Sequence, residues 1–128
     1  MRKSGVVFSI LVSVLMLFGA GSPSVFAESK NQLVTIGIDY GAPRYYETKT
    51  VSWKEGMTVL EALQSVVPLK TELYGENIIV SSIDGQAQVK DEMGWMYDVN
   101  GKMGNNYAGK YVVSSGDYVR WMYSSPKL

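Results

Sequence analysis

Six residues in the last third of the chain are equipped to hold a ligand: Tyr97, Asn100, Met103, Asn106, Tyr107 and Tyr111. Phenols, amides and a thioether offer stacking surface, apolar contact and hydrogen bonds. They offer no strong nucleophile and no general base. Trp95, Tyr118, Trp121 and Tyr123 add aromatic surface to the same region. The set suits a grip on a flat ligand or a partner and is poorly suited to breaking bonds.

The rest of the composition narrows the chemistry further. The chain contains no cysteine and no histidine, which removes Cys/His nucleophilic pairs, ordinary zinc sites and disulfides. It also removes the N-terminal cysteine of a bacterial lipoprotein. Asp91, Glu92 and Asp98 lack the ligand series of a calcium loop, so they read as solvated charge. No catalytic residue and no metal ligand is assigned, and an enzyme is not the expected class. Basic and acidic side chains balance at 12 each, without a basic stripe, so nucleic acid is not an expected partner.

The six residues need a scaffold, and alternation supplies one. Gly94 to Val99 predicts a strand with Trp95, Tyr97 and Val99 on one face and Met96 and Asp98 on the other. It runs into Asn100-Gly101, a pair that tolerates the positive φ of a tight hairpin turn. Two readings of Asn100 stand: a turn residue, or an amide aimed at a ligand from the rim of the sheet. Trp95 is likewise either core beneath a helix or ligand surface. The Tyr97 hydroxyl is expected near solvent or a ligand, because a buried hydroxyl needs a partner. Lys102 to Gly109, rich in glycine and asparagine, reads as a loop carrying Met103, Asn105, Asn106 and Tyr107, and loops on a rigid sheet are where binding residues concentrate. Gly116-Asp117 turns the chain into a last strand, Tyr118 to Tyr123, whose Trp121 and Tyr123 read as core.

Upstream, Leu33 to Asp39 alternates as a first strand with Val34, Ile36 and Ile38 inward. Thr48 to Trp53 reads as a second strand. Thr58 and Glu61 match a capping box, and Val59, Ala62, Leu63 and Val66 follow helical spacing until Pro68 stops the helix, about three turns in all. Leu69 to Glu76 reads as irregular, and Asn77 to Ile83 as a strand ending at the Asp84-Gly85 turn. The order strand, strand, helix, strand, strand, strand predicts an α+β fold of the β-grasp type: a mixed sheet of about five strands with one amphipathic helix packed across it.

The N-terminus has a different character. Arg2 and Lys3 precede an apolar run from Val6 to Phe18, followed by small residues and Val25-Phe26-Ala27. That is the pattern of a secretory signal peptide over residues 1–27, and the run is short of the roughly 20 residues of a spanning helix. The expected organisation is a signal peptide, a loose leader over 28–32, one domain over 33–124 and a tail over 125–128. The expected location is secreted or at the cell surface.

Four stretches carry a resemblance. Val51…Trp53…Glu55-Gly56-Met57-Thr58-Val59-Leu60-Glu61-Ala62-Leu63 resembles a recurring β-grasp entry. Gly94-Trp95-Met96-Tyr97-Asp98-Val99-Asn100-Gly101, then Tyr107-Ala108-Gly109, then Gly116-Asp117-Tyr118-Val119-Arg120-Trp121, resembles the transcobalamin-like C-terminal domain family, a bacterial domain of unknown function of the soluble-ligand-binding β-grasp type. In transcobalamin and intrinsic factor this small domain closes over one face of cobalamin, and a large helical domain, absent here, holds the other. The resemblance implies a corrinoid ligand held by apolar contact, stacking and amide hydrogen bonds, with Tyr111 in the segment matching the cap loop. It also implies a possible hand-over to a membrane transporter. The alternative from another class is a module that docks on a protein or cell-surface partner without a small ligand.

Overall fold

The computed structural model describes residues 32–125. The expected signal peptide, all but the last residue of the leader, and residues 126–128 lie outside the described residues. The order of elements is β1 (Leu33–Asp39), β2 (Tyr46–Ser52), α1 (Val59–Gln64), β3 (Leu69–Tyr74), β4 (Asn77–Ile83), β5 (Gln86–Ala87), β6 (Gly94–Val99), β7 (Lys102–Met103) and β8 (Tyr118–Ser124).

Alternation in β1 sets the centre of the molecule. Val34, Ile36 and Ile38 are fully buried on one side. The strand pairs antiparallel with β2 and parallel with β8, which pairs antiparallel with β6. The result is a five-stranded mixed sheet in the order β2-β1-β8-β6-β7, the expected β-grasp sheet with its helix. Val59, Leu60, Ala62 and Leu63 of α1 join the same core as β1, Val119 and Trp121. Each fully buried aliphatic side chain stabilises the fold by roughly 1.5–3 kcal/mol.

The capping box at the helix start is present. Thr58 Oγ1 accepts from the Glu61 N–H at 3.1 Å, and Glu61 Oε1 accepts from the Thr58 N–H at 3.1 Å. The helix is shorter than the three turns its spacing suggests. It closes at Gln64, with Ser65 as its C-cap. The next two N–H groups, of Val66 and Val67, both turn back to the Leu63 carbonyl. Val67 is buried through this tightened turn rather than through helix.

A second sheet, in the order β3-β4-β5, lies beyond the helix in sequence. It corrects the irregular reading of Leu69 to Glu76: residues 69–74 form a strand paired with β4 around a Gly75-Glu76 turn. Five of its six residues are exposed, so it carried no buried alternation to betray it. Two smaller shifts accompany this. β2 begins at Tyr46 rather than Thr48, and Lys102 and Met103 pair with β6 instead of lying in the loop.

Candidate functional site

The β6–β7 hairpin and the loop after it are built on local chemistry. Asn100 and Gly101 adopt φ of 52° and 85° in the hairpin turn. The Gly104 N–H donates to the Tyr97 carbonyl at 3.1 Å. A Cβ at Gly104 would overlap the Tyr97 ring, so glycine alone lets the chain cross that close. The loop is then tied to the helix start. The Leu60 N–H donates to the Ala108 carbonyl and the Val59 N–H to the Tyr111 carbonyl, both at 2.9 Å. Two helix N–H groups that the helix itself leaves unpaired are thereby used to fix residues 108–111.

Tyr97 sits at the centre of this arrangement. Its hydroxyl is satisfied internally, donating to the Asn106 carbonyl at 2.5 Å, and the ring is 8% exposed. Burial, followed by the nearby Tyr111 phenol, raises its pKa. Its ring meets Tyr111 edge-on at 6.0 Å and Trp121 tilted at 5.2 Å. Trp95 continues the aromatic cluster, edge-on to Tyr40 at 5.7 Å and against Tyr123 at 5.0 Å. Half-buried, it lies against those rings and the β5 segment, where its Nε1–H donates to the Gln86 carbonyl at 2.8 Å.

Beside this cluster a cleft of about 210 Å³ opens between β4 and β6. Its one wall is Ile78, Ile79 and Val80; the other is Trp95, Met96 and Tyr97, with Met103, Gly104 and the 106–108 turn closing an end. Met96, Met103 and Tyr107 are 38%, 55% and 36% exposed, which leaves apolar surface at the mouth. Trp121 lines the same cleft, and its buried Nε1–H has no acceptor among the described residues. The other two indoles differ: Trp53 donates to the Val113 carbonyl at 3.0 Å and Trp95 to Gln86. A buried donor left unpaired costs roughly 1–3 kcal/mol.

Of the six residues singled out from sequence, Tyr97, Met103, Asn106 and Tyr107 line this cleft. Asn100 and Tyr111 line a second depression of about 300 Å³ across β7, and Met103 reaches both. The Asn100 amide is committed: Nδ2 donates to Asp117 Oδ1 and Oδ1 accepts from the Tyr118 N–H, each at 2.9 Å. It ties the hairpin turn to the start of β8. Sequence reading missed Met96, Gly104, the β4 wall and the orphan donor of Trp121. Parity did not mark Met96, because Asp98 on the same face is buried and paired with Arg120 at 2.6 Å rather than solvated as expected; nothing in the sequence placed β4 across from β6.

A third concavity, about 640 Å³, lies on the outer side of the second sheet, among Lys70, Glu72, Ser81, Ser82, Gln88 and Lys90. It shares no residue with the predicted set. Among the described residues no group of three or more acidic side chains is placed to hold a metal ion.

Comparison with known proteins follows this geometry. Residues 56–125, more than half of the chain, match the family described as "Domain of unknown function (DUF4430)", and the chain belongs to that family. A Ruminococcus gnavus ATCC 29149 protein, for which metal binding has been suggested, is similar in structure. The TM-score is 0.60 at 16% identity, over 73% of this chain and 97% of that one. Haptocorrin, in a complex with Cbi, is similar with a TM-score of 0.56 at 17% identity, over 74% of this chain. The chain spans 26% of haptocorrin. At these identities the likeness is one of fold. No curated protein matches the sequence.

Proposed function

We propose that this member of the DUF4430 family is a non-enzymatic module that holds a small ligand at the cleft between β4 and the β6–β7 hairpin, and that the ligand is cobalamin or a related corrinoid. The observation that carries the proposal is the cleft itself: apolar and aromatic walls, with exposed Met96, Met103 and Tyr107 at its mouth. A corrinoid has apolar faces, which suit these walls. The fold shared with haptocorrin supports the ligand class.

The size of the cleft defines the mode. At about 210 Å³ it is below the roughly 300–1,000 Å³ of pockets that engulf a drug-sized ligand. The module therefore covers one face of its ligand and leaves the other to a second body, for which a membrane uptake system is the natural candidate in a secreted protein. With neither histidine nor cysteine, the module binds and transfers rather than transforms.

Trp95 and Trp121 line the cleft and Trp53 does not. Inner-filter-corrected tryptophan fluorescence, titrated with cobalamin and with cobinamide, is expected to fall to saturation, and Met103→Ala to weaken that binding. A signal that stays flat with both ligands contradicts the proposal. It would favour the second reading, docking on a protein, which draws on the exposed Tyr45, Leu73 and Tyr74.

A further inference from the structure

Among the described residues the outer edge of β3 has no strand partner, since β3 ends its sheet and pairs only with β4. The two-residue turn Gly75-Glu76 makes Tyr74 and Asn77 the closing hydrogen-bonded pair. Tyr74 and Glu72 therefore spend their backbone groups on β4, and Leu73, Thr71 and Leu69 direct theirs outward. The register irregularity does not upset this alternation. Lys70 pairs with Ser82 and Thr71 with Val80, so the extra residue, Ser81, belongs to β4 and β3 stays regular.

The side chains on that edge form a self-complementary series, Leu69-Lys70-Thr71-Glu72-Leu73. Edges that avoid pairing are blunted by charged side chains, above all lysine, or by proline. Here unlike charges stand at equal distances from Thr71. Neither Lys70 nor Glu72 has an ion-pair partner among the described residues. Glu72 has one oxygen, Oε2, occupied by the Gln88 amide at 2.9 Å. The other long edge, β2, differs: its Glu47 and Lys49 already face each other at 3.9 Å. Leu73 is 76% exposed, a cost without return in the isolated chain.

We propose that β3 is a homodimerisation edge, pairing antiparallel with β3 of a second copy about a two-fold axis at Thr71. That register sets Thr71 opposite its own copy, Leu69 opposite the copy's Leu73, and Lys70 opposite the copy's Glu72. It is also a register in which every outward backbone group of residues 69, 71 and 73 finds a partner. The Lys–Glu pairs fall at the non-hydrogen-bonded positions, where facing side chains come closest. The two three-stranded sheets become one of six strands, with an isologous contact that closes on itself. A single strand edge buries little surface, so the dimer sits at the weak end of specific association. This contact lies apart from the β4–β6 cleft and does not depend on what the cleft binds.

Sedimentation velocity on the full chain, over tens to hundreds of micromolar, is expected to show a concentration-dependent dimer. Lys70→Glu and Glu72→Lys each place like charges across the axis and should weaken it roughly tenfold or more. An equimolar mixture of the two variants restores unlike pairs and should dimerise, as should the double exchange K70E/E72K. Both sites are exposed, and unchanged circular dichroism confirms folding of the variants. A wild-type chain that stays monomeric throughout, single variants that dimerise as wild type does, or a mixture that fails to recover each overturns the proposal.

Discussion

The two sheets of this molecule are built on different principles. In the five-stranded sheet the central strands β1 and β8 bury one face completely, with Val34, Ile36, Ile38 and Val119 at 0% exposed. Its register is held by packing, because a slip of one residue would turn that face to water. In the three-stranded sheet β3 is almost wholly exposed, and its register rests on the Gly75-Glu76 turn and on pairing with β4. The first sheet is a support; the second is anchored in the same core through Val80 and Ile83 of β4 and carries β3 as an exposed flap. The candidate cleft lies where Ile78, Ile79 and Val80 of β4 face β6.

The contrast is broken or sharpened most strongly by truncation. Ile36→Ala, at the centre of the buried face, should lower unfolding free energy by about 2–5 kcal/mol in chemical denaturation. Leu73→Ala in the flap should change it by less than about 0.5 kcal/mol. Comparable losses would mean that the second sheet is as deeply integrated as the first.

The next effect is alkaline. Tyr40 is 2% exposed, its hydroxyl lacks a partner among the described residues, and burial pushes its pKa from 10.0 to about 12. Between those values the unfolded chain has released this proton and the folded chain has kept it. The folded state then binds more protons, so stability is undiminished below pH 10.0 and is lost as pH rises toward about 12. The loss from this group is on the order of 2 kcal/mol. Tyr40→Phe should flatten that part of the alkaline denaturation profile without lowering stability at neutral pH. Tyr46, raised to about 12 by burial and then by its hydrogen bond to Tyr118, sustains the remaining slope.

A smaller change links support to site. Thr58→Ala removes the acceptor for the Glu61 N–H and should cost about 1 kcal/mol. Because the same helix start holds residues 108–111, it should also loosen the end of the cleft, read as faster amide exchange at Val59 and Leu60, whose N–H groups donate to the Tyr111 and Ala108 carbonyls.

Legibility in the sequence followed the same division. β1, β4, β6 and the capping box were readable because each carries a periodicity or a local bonding rule: Leu33–Asp39 and Asn77–Ile83 have the expected bounds. β3 was not readable, since a strand whose partner is another strand rather than a core shows no apolar alternation. The helix length was overestimated because Val66 and Val67 keep helical spacing while the backbone has already turned. At the site, residues on the hairpin and its loop were visible from type and spacing, and four of the six converge on one cleft. The opposite wall was invisible, because the meeting of β4 and β6 is a property of the tertiary fold. Tyr97 was expected to show its hydroxyl to solvent or ligand, and the Asn106 carbonyl takes it instead.

The most direct test of the central claim is calorimetric titration of the wild-type chain and of Tyr107→Ala and Met96→Ala with cobalamin and cobinamide. Both variants change exposed side chains at the mouth of the cleft, so the fold is preserved while the binding surface is not. Wild-type binding at micromolar strength or better, about −8 kcal/mol, weakened in both variants, is the result expected of a corrinoid-capping module. Absence of heat with either ligand, or binding that both variants leave unchanged, would contradict it.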